Sequence, residues 1–136
     1  MLKLAALAII AFGTATVQAQ VPTVDVGTGN WSALPEARVI GNVHIGSAVA
    51  DEVARIGRER SCQVAGLGRD SVDLTVPFVL EFDDAGRVQR IVLRDIGCPE
   101  LETLLGRAVQ RLADLREYRP SAGPGWYRSA LELSVD

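Results

Sequence analysis

Leu74-Thr75-Val76-Pro77-Phe78-Val79-Leu80-Glu81-Phe82-Asp83-Asp84-Ala85-Gly86-Arg87-Val88-Gln89-Arg90-Ile91-Val92-Leu93 is the stretch from which the rest of the chain is read. Its first half alternates apolar residues at Leu74, Val76, Phe78, Leu80 and Phe82, the period-two pattern of a strand that buries one face. Asp83 to Arg87 supplies turn residues, and Val88 to Leu93 is a second β-rich run. In that run Val88 and Val92 fall out of step with Ile91 and Leu93, which a bulge or a two-sided contact explains. The alternate face of the first strand, Asp73, Thr75, Pro77, Val79 and Glu81, is mostly polar. One side of the sheet is therefore expected to meet helices and the other water. Pro77 lacks an N–H and reads as a sheet edge or bulge residue.

Downstream, Cys98-Pro99 introduces a helix with Leu101, Leu104, Leu105, Ala108, Leu112 and Leu115 on one face. Pro at the first helical position costs no hydrogen bond, and Glu100 and Glu102 sit at the positive end of the helix dipole. The helix is expected to end near Glu117, because Pro120 disfavours helical geometry at Arg119. Ser121 to Gly125 forms a turn, and Trp126 to Val135 reads as the last strand. Upstream, Ser47 is the expected N-cap of a first helix carrying Val49, Val53 and Ile56 at helical spacing. These elements predict an α+β domain of two layers: a small antiparallel sheet of about three strands with two helices packed on one face.

The 136-residue chain is long enough for one domain. Residues 1–19, with Lys3, the apolar run Leu4 to Phe12 and Val17-Gln18-Ala19, read as a secretory signal peptide cleaved after Ala19. The run is too short and too interrupted for a spanning anchor, so no stable membrane anchor is expected after cleavage. Residues 20–46 read as an N-terminal arm, loose at first, with a short strand around Arg38 to Ile45; residues 47–136 form the domain. Loss of Lys3 from 14 cations leaves 13, all Arg, against 17 acids, a net charge of −4. Scattered, mildly acidic charge argues against a nucleic-acid surface.

Cys62 and Cys98 are the two cysteines. An exported chain favours their pairing as a disulfide; the alternatives are two buried thiols or a metal pair. His44, the single histidine, has no zinc-site spacing to either. Neither a metal nor a cofactor is expected. His44 as a base with Asp83, Asp84 or Asp95 as acids is the alternative, enzymatic reading, but carboxylates in such places are more often turn residues and no catalytic role is expected of them.

The order of elements, with Leu80-Glu81-Phe82-Asp83-Asp84-Ala85-Gly86-Arg87-Val88, Gly97-Cys98-Pro99-Glu100-Leu101-Glu102, Tyr118-Arg119-Pro120 and the strand from Gly125 to Val135, resembles the C-terminal domain of TonB and TonB-like proteins. The likeness covers residues of about 72 to 136. It implies a periplasmic, non-catalytic protein-binding module of a Gram-negative envelope, whose terminal strand docks an extended segment of an envelope protein or TonB-dependent receptor. By that resemblance Tyr127, Arg128, Ser129, Ala130, Leu131, Glu132, Leu133, Ser134 and Val135 are the partner-binding positions. An accessory structural subunit, an enzyme or an inhibitor are the alternatives, and a homodimer stays open. The departures are that family members which transduce energy carry an uncleaved membrane helix and a long Pro-rich spacer, where a cleavable signal and about eleven arm residues are read here.

Overall fold

A computed structural model describes residues 21–40, 45–59 and 62–135. The expected signal peptide and residues 41–44, which include His44 and the middle of the strand expected around Arg38 to Ile45, lie outside the described residues. The elements are β1 (Thr23–Gly27), β2 (Arg38–Val39), α1 (Ser47–Glu59), β3 (Val72–Phe82), β4 (Val88–Arg94), α2 (Pro99–Asp114), β5 (Tyr118–Arg119) and β6 (Gly125–Val135). The fold is α+β with two helices, a mixed four-stranded sheet of order β1-β4-β3-β6, and a two-stranded sheet β2-β5.

The antiparallel part of the main sheet is the expected three strands, β4-β3-β6. The expectation of an all-antiparallel sheet is corrected by β1, which lies in the segment read as a loose arm and pairs parallel to β4 from Thr23↔Arg90 to Gly27↔Arg94. Long-range contacts hold it there. The Gln110 side chain donates to the Pro22 carbonyl at 2.7 Å, and Asp95 N–H donates to Gly27 at 3.0 Å. Gly106 lets α2 come close: a β-carbon at that position would stand 2.8 Å from Val24 Cγ1.

Alternation along β3 works as read. Val72, Leu74, Val76, Phe78, Leu80 and Phe82 are all buried on the face that meets the helices, each such side chain contributing roughly 1.5–3 kcal/mol when fully buried. Val53 and Ile56 of α1 and Leu101, Leu105, Val109 and Leu112 of α2 complete the same core. The α2 face is rotated from the expected one, with Gly106 and Val109 buried and Leu115 exposed beyond the helix. Two edge-to-face ring pairs, Phe78–Tyr118 at 5.5 Å and Phe82–Tyr127 at 5.4 Å, extend the core beneath β5 and β6.

Cys62 and Cys98 form a disulfide with their Cα atoms 5.5 Å apart. It joins the loop after α1 to the residue before Pro99. Closing a loop of 36 residues stabilises the fold by about 4 kcal/mol on the chain-entropy account. The helices are also linked at their surface by Arg55, whose guanidinium meets Glu52, Glu59 and Glu100 at 3.0, 2.6 and 2.6 Å.

Helix ends differ from expectation in informative ways. The carbonyl of Gly46, not Ser47, accepts the first α1 bonds, from Val49 and Ala50. Helix α2 stops at Asp114 rather than Glu117. There Arg116 adopts φ 58°, its N–H bonds Ala113 and the Glu117 N–H bonds Leu112, which is a Schellman ending with Arg where Gly is usual. Pro120 then keeps Arg119 extended, and Tyr118–Arg119 becomes β5, pairing with Val39 and Arg38.

The irregular phase of β4 is a bulge. Phe82 pairs with Val88 and Glu81 with Arg90, so Gln89 is the extra residue and both Val88 and Ile91 reach the core. Pro77 is not in a bulge; it lies inside β3 with β6 on one side, while on the other side the β4 ladder has ended, so it sits at a local edge of the sheet. Because Val79 pairs with both Val92 and Arg128 and the Arg128 main chain bonds elsewhere, the main-chain groups of Val79, and by period two those of Pro77 and Asp73, point towards the β4 side. The β3-β4 ladder ends at Phe78↔Leu93, just before the missing N–H of Pro77 would be needed. Beyond it Asp73 N–H bonds the Gly66 carbonyl at 2.7 Å. Gly66 has φ 85°, and a β-carbon there would fall 2.0 Å from the Asp73 carbonyl oxygen, so only Gly fits.

Candidate functional site

The sheet has two outer strands, β1 and β6, and β6 is the one the sequence singled out. Its ladder with β3 is unbroken from Phe82↔Gly125 to Val72↔Val135. Side chains therefore alternate without a phase change. Tyr127, Leu131 and Leu133 are buried in the core, while Ala130, Glu132 and Ser134 are exposed on the opposite face. The Tyr127 hydroxyl accepts from the Ala122 N–H at 3.0 Å and also contacts the Ala122 carbonyl, which secures the turn before the strand.

The face opposite the helices is not simply open to water, as alternation alone suggested. Residues 28–37 cross it as a strap. Trp31 lies under the Arg94 guanidinium at 4.2 Å, and the Arg128 side chain donates to Leu34 O at 2.7 Å and meets Glu36 at 3.2 Å. Val79 is buried on this face. Further along, Arg90 grips Glu81 through two bonds, at 3.0 and 2.8 Å, and stands 5.2 Å from the Trp126 ring. That grip holds the Glu81 carboxyl below its ordinary range.

At its far end the strap joins the outer edge of β6. Arg128 N–H donates to Pro35 and the Arg128 carbonyl accepts from Ala37, both at 2.9 Å, in a parallel bridge between Glu36 and Arg128. This fixes the orientation of every main-chain group in the strand. With Arg128 facing outward, so do Ala130, Glu132 and Ser134, whereas Tyr127, Ser129, Leu131, Leu133 and Val135 face β3. Among the described residues, the outward groups of Ala130, Glu132 and Ser134 have no backbone partner. Of the nine residues read as partner-binding, Tyr127, Leu131 and Leu133 are thus buried, Arg128 is covered by the strap, and Ala130, Glu132 and Ser134 form an edge without a backbone partner among the described residues.

Beside that free edge is a groove of about 490 Å³, lined in part by Trp31, Val39, Pro77, Arg94, Arg128 and Glu132. Trp31, Arg94 and the strap were missed from sequence. Residues 30–37 have no period, and nothing local links Trp31 to Arg94.

The candidate acids are placed in turns and are not brought together. Asp83 Oδ1 accepts from Ala85 and Arg87 N–H at 2.9 Å, which, led by the Arg87 bond, lowers its pKa. Asp95 Oδ1 accepts from Gly97 N–H at 2.9 Å, and Asp84 is an exposed residue of the hairpin turn. Among the described residues no group of three or more His, Cys, Asp or Glu is placed to hold a metal ion, and no helix is long and apolar enough to cross a membrane. The disulfide fits an oxidising, extracytoplasmic compartment. No family model, no curated protein and no solved structure matches this chain.

Proposed function

We propose that this chain is an exported, TonB-like binding module of the Gram-negative periplasm, which takes up an extended segment of an envelope or TonB-dependent transport protein along the outer edge of β6. The observation that carries this reading is the row of outward N–H and C=O groups at Ala130, Glu132 and Ser134 beside the groove at Trp31 and Arg128. An unpaired edge is a template for a further strand: main-chain bonds supply affinity, and pockets for alternate side chains supply selectivity. The strap supports the reading, since Pro35 and Ala37 already bond the Arg128 position in the manner an incoming strand would. The leader-like residues 1–19 and the Cys62–Cys98 bond agree with export.

Glu132→Pro tests it. That substitution removes an outward N–H and leaves the β3 ladder whole. Immobilised wild-type chain should retain an envelope protein from periplasmic extract, identified by mass spectrometry, and the Glu132→Pro chain with an unchanged melting curve should lose it. Equal retention by both would exclude the β6 edge as the docking site.

A further inference from the structure

The free edge of β6 has a charge character that restricts what can pair with it. Glu132 is the middle of its three outward residues, is exposed, and joins no ion pair among the described residues. The two cations that line the groove with it are engaged elsewhere: Arg128 with Glu36 and the Leu34 carbonyl, Arg94 with the Trp31 ring. On β3, Thr75 is directly beside Glu132 and Asp73 is diagonal to it, on the same face. A strand added outside β6 would place one side chain directly opposite Glu132, about 5 Å away between β-carbons.

The same geometry bears on self-association. Arg128 is closed by the strap, so two copies pairing edge to edge in antiparallel fashion past the strap have the continuous run Ala130, Glu132 and Ser134 to offer. The register that uses all three sets Ala130 against Ser134 and Glu132 against the Glu132 of the other copy. Like charges directly opposite destabilise a pair of strands, and an edge-strand charge of this kind is a common guard against self-pairing.

Resting on the edge-docking reading above, we infer that the occupant is a short extended segment of a different protein, with Lys or Arg directly opposite Glu132, and that a second copy of this chain is kept off the edge by the same carboxylate. The segment spans about five residues, from the end of the strap to Ser134. Its basic side chain lies over the exposed face next to the groove, directly opposite Glu132, with the charge of Asp73 one strand further in on β3.

The test uses labelled peptides that alternate Thr and Val, identical except for a central Lys, Thr or Glu, titrated by fluorescence anisotropy against the whole chain. The Lys peptide should bind roughly three- to tenfold more tightly than the Glu peptide, the range expected for exchanging an attractive for a repulsive cross-strand pair. Glu132→Lys should reverse the order. Asp84→Lys, a charge change in the remote hairpin turn, should leave the order intact and so separate the local pair from the overall negative charge. Equal affinity for all three peptides, abolished by Glu132→Pro, would overturn the basic preference while leaving edge docking in place. No binding of any peptide would overturn both. Sedimentation of the wild-type chain should show a monomer; a dimer dissociated by Glu132→Pro would assign the edge to a second copy and overturn the inference.

Discussion

Glu36 and Arg128 stand side by side in a parallel bridge, so the chain's own strap pairs with the first part of β6 and stops before Ala130. This one contact sets which main-chain groups of β6 face outward. It also separates proline positions that look alike in sequence. Glu132→Pro loses an N–H that points to solvent and should change stability by less than about 1 kcal/mol, whereas Leu131→Pro loses an N–H of the β3 ladder and should cost about 3 kcal/mol or more. Urea unfolding of the two variants, one residue apart, checks the assigned orientation independently of any partner.

Strand β1 depends on the close approach of α2. Gly106→Ala would place a β-carbon 2.8 Å from Val24 Cγ1. Overpacking of this kind costs about 1–3 kcal/mol, partly offset in global stability by the roughly 1 kcal/mol that Ala gains over Gly inside a helix. The expected signature is local: amide exchange of Thr23–Gly27 should accelerate tenfold or more while the β3 and β6 amides keep their protection. Uniform loss of protection would contradict a separable β1.

The left-handed Arg116 at the end of α2 should be improvable. Its φ of 58° costs a residue with a β-carbon roughly 1–2 kcal/mol, less the extra chain entropy that Gly brings to the unfolded state. Arg116→Gly should therefore raise stability by about 0.5–1 kcal/mol, seen as a melting point a few degrees higher. Arg116→Val should lower it.

Burial, with a smaller contribution from the Glu117 charge, pushes the Tyr118 phenol from 10.0 up to about 12. The neutral form is the one the folded state favours. Its contribution to stability is whole below pH 10 and is lost as pH rises towards about 12. Chemical unfolding followed between pH 9 and pH 12 should show an alkaline decline that is shallower in Tyr118→Phe. The same slope in both chains would place the decline in other groups.

What the sequence determined by itself is β3, the hairpin into β4, the start of α2 and β6; the end of α2 at Asp114 and strand β5 it did not. The alternation at Leu74 to Phe82, the Asp83–Arg87 turn and Pro99 at the helix start are local signals, and each specifies its own element because side-chain period and backbone restriction act over a few residues. The Cys62–Cys98 pairing was legible from composition and the expected compartment. Tertiary structure alone decided the fourth strand, the strap and the half of β6 left open. Those features rest on pairs far apart in the chain, Pro22 with Gln110, Trp31 with Arg94, Pro35 and Ala37 with Arg128. No local pattern marks either member of such a pair. The terminal strand could thus be read from sequence as an outer strand, but which of its main-chain groups face outward, those of Ala130, Glu132 and Ser134 among them, followed only once Arg128 had a neighbour in space.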